Sequence, residues 1–254
     1  MSYRIQWWAD THRDPATNLR LGCTLAGVAG ATNAGGFLAV GEYTSHMSGI
    51  LSSVADNLVL GQLQLAGAGV ALIVAFLCGS MTTAWMVNWA QRREMRSSFA
   101  RPLLVEAALL LVFGVFGAAI SSFAGLFVPL TVLLLCYIMG LQNAVITKVS
   151  NAEIRTTHVT GLLTDLGIEM GKMFYINHSN FPHRVEANRR KMRIHAFLVT
   201  SFFSGALLGA WGFKTFGYIA TVPLALLLIV LTWGPVQEDI RMGRIASGPQ
   251  KPHA

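Results

Sequence analysis

The longest uncharged run in this chain, residues 107–147, contains no Asp, Glu, Lys or Arg over 41 consecutive positions. A helix needs about 20 mostly apolar residues to cross the hydrocarbon of a bilayer, so a run of that length holds two crossings, with a turn at 121–125. Residues 21–41, 57–91, 194–213 and 215–237 are also free of charge. Together these runs predict six spans, at about 21–40, 65–90, 102–121, 126–147, 194–213 and 216–234. The first run exceeds a signal-peptide core in length and reads as an uncleaved span. Trp85, Trp89, Trp211 and Trp233 fall near span ends, where indole rings favour the headgroup level. Only 12% of the residues are charged and the mean hydropathy is +0.51. Such a chain is neither disordered nor suited to covering a soluble enzyme.

Two stretches, 42–64 and 151–177, are too polar for confident spans and too apolar for plain loops. Positive charge decides how they run, because Lys and Arg collect on the cytoplasmic side of membrane proteins. The basic clusters are Arg4/Arg13/Arg20, Arg92/Arg93/Arg96/Arg101, Arg184/Arg189/Arg190/Lys191/Arg193 and Arg241/Arg244/Lys251. If both stretches enter and leave the membrane on one side, 18 of the 19 basic residues face the cytoplasm and only Lys214 lies outside. The expectation is therefore an all-α polytopic membrane helix bundle of six spans with two re-entrant or broken short helices. Residues 1–19 form a cytoplasmic N-terminal segment, 20–235 a single membrane domain and 236–254 a cytoplasmic tail. The composition of 42–64 and 151–177 fits either a re-entrant or an interfacial course.

The same signals occur twice. Asn33-Ala34 is followed by His46-Met-Ser48-Gly49, and Asn143-Ala144 by His158-Val-Thr160-Gly161. A third block pairs Phe76–Gly79 and Ala84-Trp85 with Phe202–Gly205 and Ala210-Trp211 at identical internal spacing. Each unit, about 20–121 and about 126–235, then contributes three crossings. An odd number turns the second unit upside down, which predicts a 3+3 inverted repeat, an architecture recurrent in transporters.

Asn-Ala on the first helix, the repeated His-x-(Ser/Thr)-Gly and the Gly140-Leu-Gln-Asn-Ala that opens the second half resemble the YoaK-like family of bacterial inner-membrane proteins. The resemblance covers about residues 20 to 235. It departs from the family pattern at Ser48-Gly49-Ile50, where members commonly carry Thr-Gly-Asn. It implies a multi-pass protein of the bacterial inner membrane and carries no established activity with it.

His46, Ser48, Gly49, His158, Thr160, Gly161, Asn33 and Asn143 are the candidate substrate-binding residues. Hydroxyls at 44–45 and 156–157 are placed to cap short helices, whose N-termini attract anions. Gly49 and Gly161 admit a close neighbour, and an imidazole titrates near neutral pH. In the second unit His158, Asp165, Glu169 and Lys172 share one helical face. Asp165 and Glu169 are the candidate proton-coupling residues, since ionisable groups at membrane depth are functional by default. Glu106 is expected near the interface, in water. Cys23, Cys78 and Cys136 lie in apolar runs without ligand spacing, so no metal site, disulfide framework or cofactor is expected. No nucleophile or nucleotide-binding motif occurs, and no enzyme is expected.

These features predict a secondary transporter of a small polar or anionic solute, with proton coupling through the carboxylates. A channel of the same architecture, or a non-transporting scaffold or lipid-interacting protein, stands as the alternative. Expected partners are membrane lipid, with anionic headgroups at the Arg/Lys loops, and a small solute. Nucleic acid is not expected, and a homo-oligomer is compatible with the reading.

Overall fold

The computed structural model describes residues 9, 15–41, 43–120, 124–150, 154–177 and 183–242. The described residues are helical throughout their regular elements. In chain order these are α1 (Pro15–Val40), α2 (Met47–Val59), α3 (Leu63–Gln91), α4 (Ala100–Ile120), α5 (Ala124–Val149), α6 (Val159–Met173), α7 (Arg189–Phe216), a 3-10 turn (Gly217–Ala220) and α8 (Thr221–Arg241). The six long helices stand where the uncharged runs put them, and the two short ones fall in the semi-polar stretches. Helix α7 begins earlier than its uncharged run, because Asn188 caps it by accepting a hydrogen bond from the Lys191 backbone N–H at 3.0 Å. The expected turn at 121–125 lies mostly outside the described residues, as do Arg4, Arg13, Arg244 and Lys251.

Three helical stretches among the described residues are long and apolar enough to cross a membrane: Leu63–Gln91, Val128–Val149 and Arg189–Arg241, the last containing α7, the 3-10 turn and α8. Their outer faces carry large apolar side chains in the open, including Val74, Leu77, Met81 and Trp85 on α3 and Leu207, Leu208 and Trp211 on α7. Such faces are stable in lipid and not in water. Inside, Leu21, Leu25, Leu103, Leu110, Ile138, Met139, Leu141 and Leu198 form one apolar core spanning α1, α4, α5 and α7.

Small residues set the closest helix contacts. A methyl group added to Gly30 of α1 would run into the Phe202 carbonyl of α7, and one on Gly140 of α5 into the Phe76 carbonyl of α3. Likewise Gly205 lies against the Gly27 backbone and Gly79 against that of Tyr137. Backbones approach this closely in membranes only where a side chain is missing. The α1–α7 and α3–α5 pairs therefore use the same contacts. Residues 21–36 and 131–146, 110 positions apart, also repeat the same order of buried and part-buried positions throughout.

Contacts along each pair give the helix directions. Gly22 sits by Leu198 and Gly35 by Phe213, so α1 and α7 run parallel. Gly140 meets Phe76 and Lys148 donates to Asn88 Oδ1 at 2.9 Å, so α3 and α5 are parallel too. Ser97 meets Asp239 while Gly114 meets Thr221, so α4 and α8 are antiparallel. These directions bring the start of α1, α4 and α7 and the finish of α3, α5 and α8 to one end of the bundle. Arg20, Arg92, Arg93, Arg96, Arg101, Lys148, Arg189, Arg190, Lys191, Arg193 and Arg241 all lie at that end, and Lys214 lies at the other. Two of these arginines, Arg93 and Arg101, stack over the Trp89 ring at 4.0 and 5.0 Å, an aromatic–cation arrangement suited to a membrane boundary.

Candidate functional site

Each short helix is entered through the same device. Asn33 Oδ1 on α1 accepts from the Ser45 hydroxyl at 3.0 Å and from its backbone N–H at 3.4 Å. Asn143 Oδ1 on α5 accepts from Thr157 Oγ1 at 2.7 Å and from Thr156 Oγ1 at 3.5 Å. Asn33 precedes the end of α1 by seven residues and Asn143 that of α5 by six, which is about 10 Å and about 9 Å of helix. The chain thus turns back into the bundle by roughly that depth before α2 and α6 begin.

The hydroxyls do not cap these helices. His46 and His158 occupy the N-cap positions, and neither makes a side-chain cap hydrogen bond. Ser45 and Thr157 are drawn instead to the asparagines, whose amide oxygens reach them first. Gly49 and Gly161 have a use other than helix approach: the ring of His46 lies on Gly49 and that of His158 on Gly161, at distances that a Cβ would close. The His-x-x-Gly spacing is therefore a seat for the imidazole.

The two devices do not meet. Helix α2 packs on α3, where Val54 fills the space over Gly69, and α6 packs on α7. His46 and Ser48 are exposed beside α3 at the end remote from the basic residues. His158 and Thr160 are also exposed, but they line a cleft of about 460 Å³ with Arg155, Gly161, Thr164, Asp165 and His195. A second cleft of about 380 Å³ shares Asp165 and His195 and continues to Asn188, Arg190 and Lys191. Asp165 pairs with Lys191 at 3.3 Å and lies 3.9 Å from His195 Nδ1. Arg155, Arg190 and Lys191 thus line the two clefts, which share Asp165 as their carboxylate.

The polar face of α6 is divided between a site and a clamp. The Asp165 side chain is 41% exposed, so it lacks the desolvated setting that a coupling carboxylate requires. Glu169 is buried; it accepts from Lys172 Nζ at 2.9 Å and from the Asn188 backbone N–H at 2.6 Å, fastening α6 to the start of α7. These bonds, that of Lys172 foremost, hold its carboxyl below the usual carboxylate range.

Two residues of the interior escaped the sequence reading. His195 is 5% exposed and completes the cleft. The position matching it in the first half, 126 residues earlier, is Gly69, so the repeat offers no signal for it. Glu106, expected in water near the interface, is fully buried on α4. Its place five residues beyond Arg101 suggests the interface, but the helix turns the side chain inward between Leu103, Ala107 and Leu110. No group of three His, Cys, Asp or Glu residues able to hold a metal occurs among the described residues.

A helical bundle with lipid-suited outer faces and close small-residue contacts is an integral membrane protein. The chain belongs to the family described as "Protein of unknown function (DUF1275)", which matches residues 21–234. It is similar to the UPF0700 transmembrane protein YoaK of Bacillus subtilis (strain 168), at 29% identity over 223 residues, covering 85% of this chain and 92% of that relative. No solved structure matches.

Proposed function

We propose that this protein is an inner-membrane secondary transporter of small anionic solutes, built from six spans as a 3+3 inverted repeat with both termini in the cytoplasm. The observation that carries the reading is the matched pairing of α1 with α7 and α3 with α5 through equivalent glycines. Inverted repeats of this kind are the architecture in which carriers rock one bundle against the other to open to either side in turn. The gathering of basic residues at one end supports a cytoplasmic assignment for that end. The His158 cleft opens there. With Arg155, Arg190, Lys191 and two imidazoles, it suits an anion of modest size. Asn33, Ser48, Gly49 and His46 form the corresponding uncharged element of the outer half.

The test is uptake into proteoliposomes of labelled phosphate, sulfate and short carboxylates, with and without an imposed pH gradient. Saturable uptake of one of these, reduced about tenfold or more by R155A together with H158A, supports the carrier. Uptake that rises without saturation indicates a channel. A non-transporting scaffold is the second reading, favoured by the continuous apolar core between α1, α4, α5 and α7. Folded protein that moves none of these anions supports the scaffold and removes the anion-carrier proposal.

A further inference from the structure

The interior of the bundle holds a carboxyl group that the cleft does not use. Glu106 is 0% exposed, and neither of its oxygens accepts a hydrogen bond from the described residues. Its level follows from the α4–α8 contacts. Ser97 meets Asp239 at one end of the pair and Gly114 meets Thr221 towards the other. Glu106 is nine residues from the first contact and eight from the second, about 14 Å and about 12 Å of helix. It therefore sits near the middle of the bundle.

The elements packed on α4 bring it no charge. Helix α8 has no ionisable side chain between Thr221 and Gln237, and α5 has only Cys136 and Tyr137 before Lys148. Helix α3 contributes only Cys78 and the 3-10 turn only Tyr218. On α4 itself Arg101 is five residues away, on a different face, stacked over Trp89. Asp239 and Glu238, at the far end of α8, are engaged with the backbone N–H groups of Arg96 and Ser97 and with the Arg96 guanidinium. An anion without partner, charge or water is strongly disfavoured, whereas the neutral acid incurs only the much smaller cost of an unpaired polar group. A purely structural position would be better filled by Leu, as at Leu103 and Leu110.

Elsewhere in the interior, Thr131 Oγ1 and Gln142 Oε1 on α5 and Thr32 Oγ1 on α1 are also buried oxygens without a hydrogen bond among the described residues. Polar groups of this kind are the ones a water entering the bundle would satisfy.

We propose that Glu106 is a proton-binding site at the centre of the bundle: it carries a proton in the conformation described and releases it when the interior is wetted. On the transport reading above, this is the group through which a proton gradient drives solute movement, in place of Asp165.

The test uses the full-length protein in liposomes and a hydrophobic carbodiimide, which adds to the protonated carboxyl and leaves an N-acylurea without a by-product. Modification of the Glu106 peptide is followed by mass spectrometry across pH. The expected result is modification that falls about tenfold for each pH unit above the midpoint, is absent in E106Q and moves along the pH axis in E106D. Modification that does not vary with pH, or an unmodified Glu106 in folded protein, overturns the proposal. Suppression of modification by sodium at constant pH overturns it in favour of a metal cation. The anion panel separates this proposal from the transport reading. Gradient-driven uptake surviving in E106Q sinks the coupling role alone. Titrating modification with no uptake of any anion sinks the transport reading and leaves the proton site standing.

Discussion

Glycine has two different uses in this molecule, and substitution should tell them apart. Gly30 and Gly140 each lie against the backbone of a neighbouring helix, which cannot yield without separating the pair. Ala at either position should lower stability by about 1–3 kcal/mol through overpacking, read as a drop in the thermal midpoint of the detergent-solubilised protein. Gly161 faces the ring of an exposed histidine, which can swing aside. Gly161→Ala should cost less than about 1 kcal/mol while dislodging His158 from its cleft, so solute movement should fall more than stability does. Glu169 makes a third case. Its folded carboxyl titrates below the ordinary range, so its stabilising effect is present above the unfolded pKa and disappears as pH falls through the folded one. Proteolysis of the 174–188 link should therefore accelerate in acid in the wild type and be insensitive to that change in Glu169→Gln.

At the level of elements, the asparagine that receives the chain ahead of each short helix is the informative part. Asn33 and Asn143 were legible in the sequence because they recur at matching places, yet their partners were not. Hydroxyls before a helix read as caps, and only the folded turn shows them claimed by the preceding long helix. Asn143→Ala should free Thr157 at a cost of about 0.5–1.5 kcal/mol. A cysteine at position 158 should then react faster with a water-soluble maleimide. The long helices were readable for a simple reason: uncharged length is a local property of the chain. Burial of Glu106 and His195 was not, since it depends on which way a helix is rotated against neighbours far away in sequence. Charge spacing gave the face shared by Asp165 and Glu169 but not its division, with one side chain half exposed in the cleft and the other locked beneath the α7 start.

For the molecule as a whole, basic residues at one end define a sidedness that can be measured. Single cysteines at Gln62, in the α2–α3 turn, and at Arg93 should label from opposite faces of sealed vesicles, and a cysteine at Ala187 should label with Arg93. Labelling of all three from one face would contradict the helix directions. The pairing pattern also has a consequence for how the protein is made. Helix α3 meets its partner α5 soon after emerging, but α1 must wait for α7, and the start of α4 is held by Asp239 in the last helix. From the end of α1 at Val40 to the end of α7 at Phe216 the chain grows by 176 residues, which at 5–20 residues per second is roughly 9–35 s of translation. On the six-span proposal, α1 stands in the bilayer throughout that interval with the surface around Gly30 unoccupied, so the nascent chain is most open to mispairing and to quality-control proteases while its second half is still being synthesised.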